Sequence, residues 1–331
     1  MQTRAYGLPR AACASLSGDM GEHIPFSKWH GAGNDYVFVE LSRVPSATAH
    51  RLIEMAPALA RRLSAQHTGI GADGLVLLDV DAGVDLRLLM FNGDGSRGAL
   101  CGNALRCVGT GLHSGHFGSS PRRSTYQLAS DSGVHEVRIA PAGSSSDDAA
   151  EIVRATVAIG RPRFEAERIP LDPSRTRVFS EGGTTPWEIA LDAAGEIWEG
   201  LALSMGNPHL VLPLVHSPAE LDLALLGPPL EAHPAFPERV NASFVRLAED
   251  GAIEQRTFER GSGETAACGS GACASVVALT YLLDLPRGVE QQVRMPGGEL
   301  RVTIAEDGMV WLGGPVERVF WGHFELDVEG L

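Results

Sequence analysis

Short apolar runs bounded by Gly, Asp or Asn dominate the hydrophobic pattern of the chain. Runs rich in Val, Leu or Phe cover residues 35–41, 74–80, 85–91, 243–248 and 308–314. Runs of this length and composition are typical of β-strands. One longer helical pattern covers 46–67, with Ser46 or Thr48 available as its N-cap and Pro57 placed to kink or divide it. Many strands with few helices predict an α+β fold.

Two segments of the chain repeat one design. The segments "FNGDGSRGALCGNALRCV" (91–108) and "FERGSGETAACGSGACAS" (258–275) each carry a cysteine on a Gly-rich turn, ten positions after a Phe. In each half an Asn also opens or precedes an apolar strand, Asn34 in the first and Asn241 in the second. We therefore expect two similar lobes whose cysteine turns meet at a shared cleft, where ligands usually bind.

A helix is predicted to begin directly after each of the paired cysteines, Cys101 and Cys268. Gly with Asn or Ser follows each cysteine, and apolar residues come next. A helix N-terminus has unpaired N–H groups and a partial positive charge, which favour a thiolate and bind a carboxylate. This setting can lower a thiol pKa from about 8.5 to roughly 3.5–7.5. A thiolate and a thiol on opposite faces of one carbon would supply the base and the acid that invert a stereocentre.

A metal site and pyridoxal phosphate chemistry both fit the sequence less well than acid/base chemistry by the two cysteines. Cys101 with Cys107, and Cys268 with Cys273, are spaced so that neither pair shares a helix face, and we predict no zinc site. Cys107 and Cys273 are predicted to pack in the core. Pyridoxal phosphate needs a Schiff-base lysine, and the single lysine, Lys28, has no phosphate-binding glycine pattern beside it. The sequence therefore predicts cofactor-free chemistry.

The length of 331 residues favours two domains. We expect residues 1–23 to form an N-terminal extension without fixed structure. The first lobe is predicted to comprise 24–146 together with 316–331, and the second lobe 147–315. The small polar stretch at 141–150 is the expected junction between them.

Charge and cysteine content exclude several classes of partner. The net charge of -14, with a pI near 5.2, opposes binding to nucleic acid or to an anionic membrane surface. No apolar run approaches the length of about 20 residues that spans a bilayer. Five cysteines without a secretory signal indicate reduced thiols and a cytoplasmic protein. A small molecule is the expected partner.

Six segments, in order along the chain, resemble the diaminopimelate epimerase family. They read "FSKWHGAGNDYVFVE", "TGIGADGLVLL", "MFNGDGSRGALCGNALRC", "SMGNPHLV", "FPERVNASFV" and "FERGSGETAACGSGACAS". The resemblance implies cofactor-free interconversion of the LL and meso forms of 2,6-diaminopimelate, in lysine and peptidoglycan precursor synthesis. It also implies two lobes, each a curved, mixed and largely antiparallel sheet around a central helix, with the last strand returning to the first lobe. A homodimer is implied as well.

The same resemblance implies roles for individual residues. Cys101 and Cys268 would be the two acid/base residues, Glu259 would lie near the reacting amino group, and His209 would position a cysteine. Side-chain contacts to the substrate are implied for Asn34, Asn92, Asn207, Asn241 and Arg260. Backbone N–H groups for the carboxylate at the reacting carbon are implied for Gly102, Asn103, Gly269 and Ser270.

The chain also departs from the family pattern, and two other functions stay open. Gly74 stands where some members carry a substrate-contacting Gln, and Ala104 stands where Gly is frequent. The alternatives are racemisation of another amino acid in the same superfamily and a catalytically silent protein that binds an amino acid. Arg260 and the Asn side chains argue against a simple apolar substrate, and the presence of both cysteines argues against a silent protein.

Overall fold

The computed structural model describes residues 22–119, 121–141 and 153–326. These residues form a mixed β-sheet with few helices. The first half contains β1 (Glu22–Gly31), β2 (Asn34–Glu40), α1 (Ser46–Ser64), β3 (Gly74–Asp79), β4 (Leu86–Asn92), β5 (Arg97–Gly98), α2 (Gly102–His113), β6 (Thr125–Ser130), β7 (Gly133–Pro141) and β8 (Val153–Gly160). The second half contains β9 (Arg177–Ser180), β10 (Trp187–Ala193), β11 (Glu196–Ser204), β12 (Pro208–Pro213), α3 (Leu223–Glu231), β13 (Asn241–Leu247), β14 (Ile253–Glu259), β15 (Gly263–Thr265), α4 (Gly269–Leu283), β16 (Gln291–Met295), β17 (Gly298–Ile304), β18 (Val310–Gly314) and β19 (Glu317–Leu326). The predicted α+β class is confirmed.

All five apolar runs form strands, and the predicted first helix is α1. The N-cap of α1 is Pro45, whereas Ser46 and Thr48 were the predicted caps. The Thr48 hydroxyl instead donates a hydrogen bond to Glu22 on β1, at 2.6 Å. Pro57 lies inside α1 without dividing it.

The internal repeat is present in the strand order of the two lobes. In the first lobe the order is β19, β1, β2, β3, β4, β6, β7, β8. In the second it is β10, β11, β12, β13, β14, β16, β17, β18. The parallel pairs fall at the same places, β2 with β3 and β4 with β6, then β12 with β13 and β14 with β16. Each lobe wraps its sheet around a central helix, α2 or α4.

The topology identifies which residues are equivalent within the repeat. The topology makes β2 the counterpart of β12, so Asn34 at the start of β2 corresponds to Asn207, directly before β12. Asn241 begins β13, and its counterpart at the start of β3 is Gly74. Asn34 and Asn241 each begin an apolar strand, as expected, but the two strands are not equivalent in the repeat. A local pattern of Asn before an apolar run cannot identify which strand it opens.

Strand β8 joins the two lobes into one continuous sheet. Val157 pairs with Val137 on β7 and with Leu312 on β18. Because β8 packs on α2 and ends the first set of strands, we place the division between the lobes after Gly160 rather than at 146. Most of the predicted junction at 141–150 lies outside the described residues.

The structure describes the two ends of the chain only in part. Strand β19 returns to the first lobe and pairs antiparallel with β1, as the resemblance implied for the last strand. Residues 1–21 of the predicted extension lie outside the described part of the chain, while Glu22 and His23 already belong to β1. Within the described residues, none of the helices combines the length and the apolar character needed to cross a membrane.

The main core surrounds the two central helices. Cys107 and Val108 on α2, and Cys273 and Val276 on α4, are buried in one continuous apolar cluster that spans both lobes. The two outer helices complete smaller clusters, α1 against the first lobe and α3 against the second. Because buried apolar surface stabilises α2 and α4 along their lengths, their first residues are held on a rigid base.

Candidate active site

The N-termini of the two central helices lie side by side. Cys101 is the N-cap of α2 and Cys268 is the N-cap of α4, which confirms the predicted helix starts. A Cβ atom at Gly102 would lie 2.7 Å from Cδ2 of Leu312 on β18, and a Cβ at Gly269 would lie 2.8 Å from the same methyl group. Glycine at both positions therefore lets the two helix starts approach one side chain. The two cysteine turns meet, as the repeat predicted.

Polar groups of the first lobe converge on the Cys101 thiol. Cys101 Sγ lies 3.4 Å from Oδ1 of Asn34, and Nδ2 of Asn103 donates a hydrogen bond to the same oxygen at 3.0 Å. Nδ2 of Asn34 donates to the Asp73 carboxylate at 2.7 Å. The Tyr36 hydroxyl also faces the thiol and interacts with it. Two of the predicted substrate residues, Asn34 and Asn103, are thus held directly beside Cys101.

Cys268 has a different set of neighbours. Its side chain is only 4% exposed. The Gly271 backbone N–H donates to its sulfur at 3.3 Å, and Oγ of Ser270 lies 3.7 Å from the sulfur. The Glu259 carboxylate contacts the thiol and also accepts a hydrogen bond from the Thr265 hydroxyl. The second thiol therefore lies between a helix N-terminus and a partly buried carboxylate.

Burial, rather than the helix N-terminus, dominates the pKa of both thiols. Burial raises the pKa of Cys101, and the Tyr36 hydroxyl and the N–H groups of Asn103 and Ala104 offset this only in part. Burial also raises the pKa of Cys268 well above its usual value, and the Glu259 carboxylate raises it further. The expectation of lowered pKa values was wrong, because desolvation of a thiolate outweighs the helix N–H groups. Both cysteines rest as thiols.

His209 is connected to Cys268 through two other side chains. Its Nε2 lies 3.0 Å from Oδ1 of Asn207, whose Nδ2 donates to the Ser270 hydroxyl at 3.3 Å. Ser270 then contacts Cys268. Burial, with a smaller effect from Arg260, lowers the pKa of His209 to about 3, so the imidazole is neutral. Nδ1 of His209 is buried without a hydrogen-bond partner.

Asn241, Arg260 and Asn92, which were also predicted to contact the substrate, form hydrogen bonds with groups other than the two thiols. Asn241 is buried, and its amide donates to the Pro208 carbonyl at 3.1 Å and accepts from the Arg260 backbone N–H at 2.8 Å. The Arg260 side chain is exposed and donates to the Glu238 carbonyl at 3.2 Å. Asn92 is also exposed, and its amide donates to Ser96 at 2.8 Å. Asn241 thus orients the Arg260 loop, while Arg260 and Asn92 lie at exposed positions.

A family model decides which group of proteins the chain is related to. The model for diaminopimelate epimerase matches residues 26–156 and 201–319, more than half of the chain. The chain belongs to the diaminopimelate epimerase family. It is 40% identical to the diaminopimelate epimerase of Geobacillus kaustophilus over 90% of this chain and 96% of that protein. It is 36% identical to that of Nostoc punctiforme over 90% of this chain and 99% of that protein. The chain is therefore an isomerase of this family.

Solved structures support the fold independently. A probable proline racemase from Agrobacterium radiobacter K84 matches with a TM-score of 0.62 and 15% identity, over 92% of this chain and 93% of that chain. A hydroxyproline epimerase from Agrobacterium vitis matches with a TM-score of 0.61 and 16% identity, over 95% of this chain and 94% of that chain. At these identities the likeness shows the two-lobed fold alone.

Sequence reasoning missed Tyr36, Asp73 and Arg106 as neighbours of the site. Tyr36 lies two residues after Asn34 on β2, so the alternation of a strand places both side chains on one face. Its ring also accounts for Gly74, a departure from part of the diaminopimelate epimerase family. A Cβ at Gly74 would lie 2.9 Å from Cε1 of Tyr36 and 2.3 Å from the Phe91 carbonyl oxygen. No side chain fits at position 74 while Tyr36 faces Cys101.

Replacing Tyr36 by Phe is expected to raise the pKa of Cys101. The hydroxyl group lowers that pKa in the native site, and a single side-chain hydrogen bond contributes roughly 0.5–1.5 kcal/mol, about two- to tenfold in the thiolate fraction. The measurement is the pH dependence of Cys101 alkylation by iodoacetamide, located by peptide mass. Tyr126→Phe, which alters a buried tyrosine on β6, is the matched control. An unchanged Cys101 profile in Tyr36→Phe would show that the hydroxyl does not act on the thiol.

Proposed function

We propose that this chain converts LL-2,6-diaminopimelate to the meso form without a cofactor, with Cys101 and Cys268 as the two acid/base residues. The observation that carries the proposal is the meeting of two thiols at two helix N-termini, with Gly102 and Gly269 against one methyl group of Leu312. Membership of the diaminopimelate epimerase family supports the substrate. One thiol removes the α-proton, and the other returns a proton to the opposite face.

The same geometry supplies a place for the carboxylate at the reacting carbon. Gly102 and Asn103 begin α2, and Gly269 and Ser270 begin α4, so their N–H groups are among the unpaired donors of the two helices. Negative charge is stabilised at such positions. The substrate ammonium, placed beside Glu259, would add a positive charge near Cys268 and favour its thiolate. Substrate binding would thus oppose the desolvation that keeps the thiols protonated.

The distal end of diaminopimelate carries a second amino and carboxyl group, which need polar partners. The exposed Arg260 guanidinium can grip a carboxylate bidentately. Asn92 and Asn207 offer amides that orient both groups without adding charge. An amino acid with an apolar side chain would leave these partners unused. We therefore assign the substrate to diaminopimelate rather than to a smaller amino acid.

The test is incubation of the reduced protein with LL-diaminopimelate in deuterated water, with no cofactor added. We expect meso product that carries solvent deuterium at the inverted α-carbon, because the returned proton comes from a thiol that exchanges with solvent. Proline and hydroxyproline, tested in parallel, should acquire no label. Absence of both product and label with diaminopimelate would overturn the assigned substrate. Product without solvent deuterium would overturn the thiol acid.

The wider setting follows from this reaction. Meso-diaminopimelate is a precursor of lysine and of peptidoglycan, so the chain belongs to amino-acid biosynthesis under this proposal. A mechanism that needs two reduced thiols is suited to the cytoplasm. Cys101, Cys107, Cys268 and Cys273 are all free thiols, which supports that assignment.

Strand β19 supports the proposal that the protein is a homodimer. It pairs with β1 on one side only, among the described residues, and an unpaired edge strand is a template for another chain. Val319, Phe320 and Trp321 on this strand expose apolar side chains, Trp321 to 66%. A symmetric pair of first lobes would cover both β19 strands.

Substituting Trp321 by Glu is expected to convert the dimer to a monomer, because a charge would be buried in the apolar contact. Sedimentation velocity measures the mass of each species. Val215→Glu, at an exposed loop position of the second lobe, is the control and should leave the dimer intact. A monomeric native protein, or a Trp321→Glu dimer of unchanged affinity, would contradict the assigned interface.

A further inference from the structure

Arg106, in the second turn of α2, is a fully buried arginine without an acidic partner. Its side chain is 0% exposed, and its Nη2 donates to Oδ1 of Asn103 at 2.8 Å. Its Nε and Nη1 are buried without a hydrogen-bond partner. Among the described residues no carboxylate forms an ion pair with it. A buried cation is costly unless an anion compensates it, so its presence needs an explanation.

The surrounding backbone leaves room for this guanidinium where the two lobes meet. A Cβ atom at Gly31, at the end of β1, would lie 3.0 Å from Nη2 of Arg106. A Cβ at Gly314, at the end of β18, would also lie 3.0 Å from Nη2. One glycine comes from a strand of the first lobe and the other from a strand of the second. Both strands therefore approach the guanidinium more closely than a side chain would allow.

The guanidinium determines the orientation of two amides beside Cys101. Because arginine can only donate, Asn103 must turn its oxygen toward Arg106 and its Nδ2 away. That Nδ2 donates to Oδ1 of Asn34 at 3.0 Å, and Nδ2 of Asn34 then donates to Asp73 at 2.7 Å. Each side chain in this series donates a hydrogen bond to the next, so the series begins at the Arg106 guanidinium and ends at the Asp73 carboxylate. Oδ1 of Asn34, fixed in this way, is the atom that faces the Cys101 sulfur.

The anions that can balance Arg106 are those that the reaction itself produces. Its charge acts on three thiols, those of Cys101, Cys107 and Cys273. Burial raises the pKa of Cys107, and it raises the pKa of Cys273 to about 12, so both remain neutral. Cys101 is the partly exposed thiol of the three; burial raises its pKa, and the charge of Arg106 is one of the smaller effects that oppose this rise. Burial lowers the pKa of Arg106 and the three thiols oppose this shift, but the pKa of a guanidinium is so high that the side chain stays protonated.

We propose that Arg106 is a positioning residue for epimerisation: its guanidinium fixes the Asn103 and Asn34 amides and supplies the positive charge that balances the anion formed at Cys101. The inference rests on the proposed function, in which Cys101 is one of the two acid/base residues. Arg106 does not touch the substrate under this proposal. It acts through the two amides and through its charge.

The test isolates the ionisation of Cys101 from catalysis. In a Cys13→Ser, Cys268→Ala background, Cys101 is the thiol expected to react with iodoacetamide, because Cys107 and Cys273 are buried. Adding Arg106→Met should move its ionisation up by about one pH unit, a tenfold loss of thiolate at a given pH. The rate of iodoacetamide alkylation across pH, located by peptide mass, measures this change. Cys268, titrated in a Cys13→Ser, Cys101→Ala background, is the internal control and should not move.

Activity is expected to fall without a loss of stability. In the otherwise native enzyme, Arg106→Met should lower kcat/KM by about tenfold or more, mainly through kcat. Its Tm should be equal or higher, because replacing an uncompensated buried charge by an apolar chain is often neutral or stabilising. A residue that only supported the fold would lose Tm and activity together. Arg138→Met, at an exposed position on β7, is the matched control and should leave activity unchanged.

Arg106→Lys separates charge from geometry and covers the case in which the Met variant does not fold. An ammonium keeps the charge but cannot reproduce the planar fork of donors. We expect Cys101 to ionise near its native pH in this variant, while kcat/KM falls about threefold or more because the Asn103 amide is released. Native kcat/KM in Arg106→Lys, or an unchanged Cys101 ionisation in Arg106→Met, would overturn the proposal. Full activity in Cys101→Ser would instead overturn the proposed function, since the alkylation result does not depend on turnover.

Discussion

Cys101→Ser and Cys268→Ser are each expected to lower epimerisation by about a thousandfold or more while the protein stays folded. Positioned acid/base groups contribute roughly 10²–10⁴-fold to a proton transfer. A serine hydroxyl is a far weaker acid than a thiol, so neither variant can form the base or donate the proton at the required rate. The measurement is the loss of LL-diaminopimelate with time, together with circular dichroism to verify folding. Cys273→Ala, which alters a buried thiol on α4, should retain activity.

The two variants also distinguish a two-base from a one-base mechanism. Under the proposed mechanism each remaining cysteine faces only one side of the α-carbon. Cys101→Ser should therefore exchange the α-hydrogen of one stereoisomer with solvent, and Cys268→Ser that of the other, without inversion. Deuterium uptake by both isomers in a single variant would show that one thiol serves both faces. Near-native turnover in either variant would remove that cysteine from the mechanism.

The sequence was sufficient to locate the two acid/base candidates because the relevant signals are local. Each cysteine is followed by Gly and then by apolar residues, and this pattern marks a helix start whatever the rest of the chain does. The repeat of the pattern predicted two lobes, and the strand order agrees. The α+β class followed from the lengths and spacing of the apolar runs.

Properties that depend on distant contacts were not predictable in the same way. The pKa of Cys268 is set by burial and by Glu259, and neither can be read from the turn that carries the thiol. Arg106 looks like an ordinary charged residue in "CGNALRC", yet the sheet of both lobes encloses it. The role of β8 as the strand that joins the two lobes also depends on its pairing with strands from both halves. Such features can be identified only from the tertiary structure.

Glu259→Gln is expected to make Cys268 more reactive toward alkylation while making the enzyme about a hundredfold slower. The Glu259 carboxylate raises the pKa of Cys268 by repulsion, after the larger effect of burial. Removing the negative charge lowers that pKa, so more thiolate forms at a given pH and iodoacetamide reacts faster. Catalysis should fall because the substrate ammonium loses the carboxylate proposed to hold it beside the reacting carbon.

The opposite signs of these two effects separate Glu259 from a residue that only supports the fold. A loosened site would expose Cys268 and speed its alkylation at every pH, whereas loss of a charge shifts the alkylation profile along the pH axis. Glu264→Gln, which alters a carboxylate on the neighbouring β15 that pairs with Arg256, is the matched control and should leave both readings unchanged. If Glu259→Gln slowed alkylation, the carboxylate would be helping to remove the Cys268 proton rather than opposing its loss. The thiolate of Cys268 would then form through Glu259 as a base, before the substrate ammonium is bound.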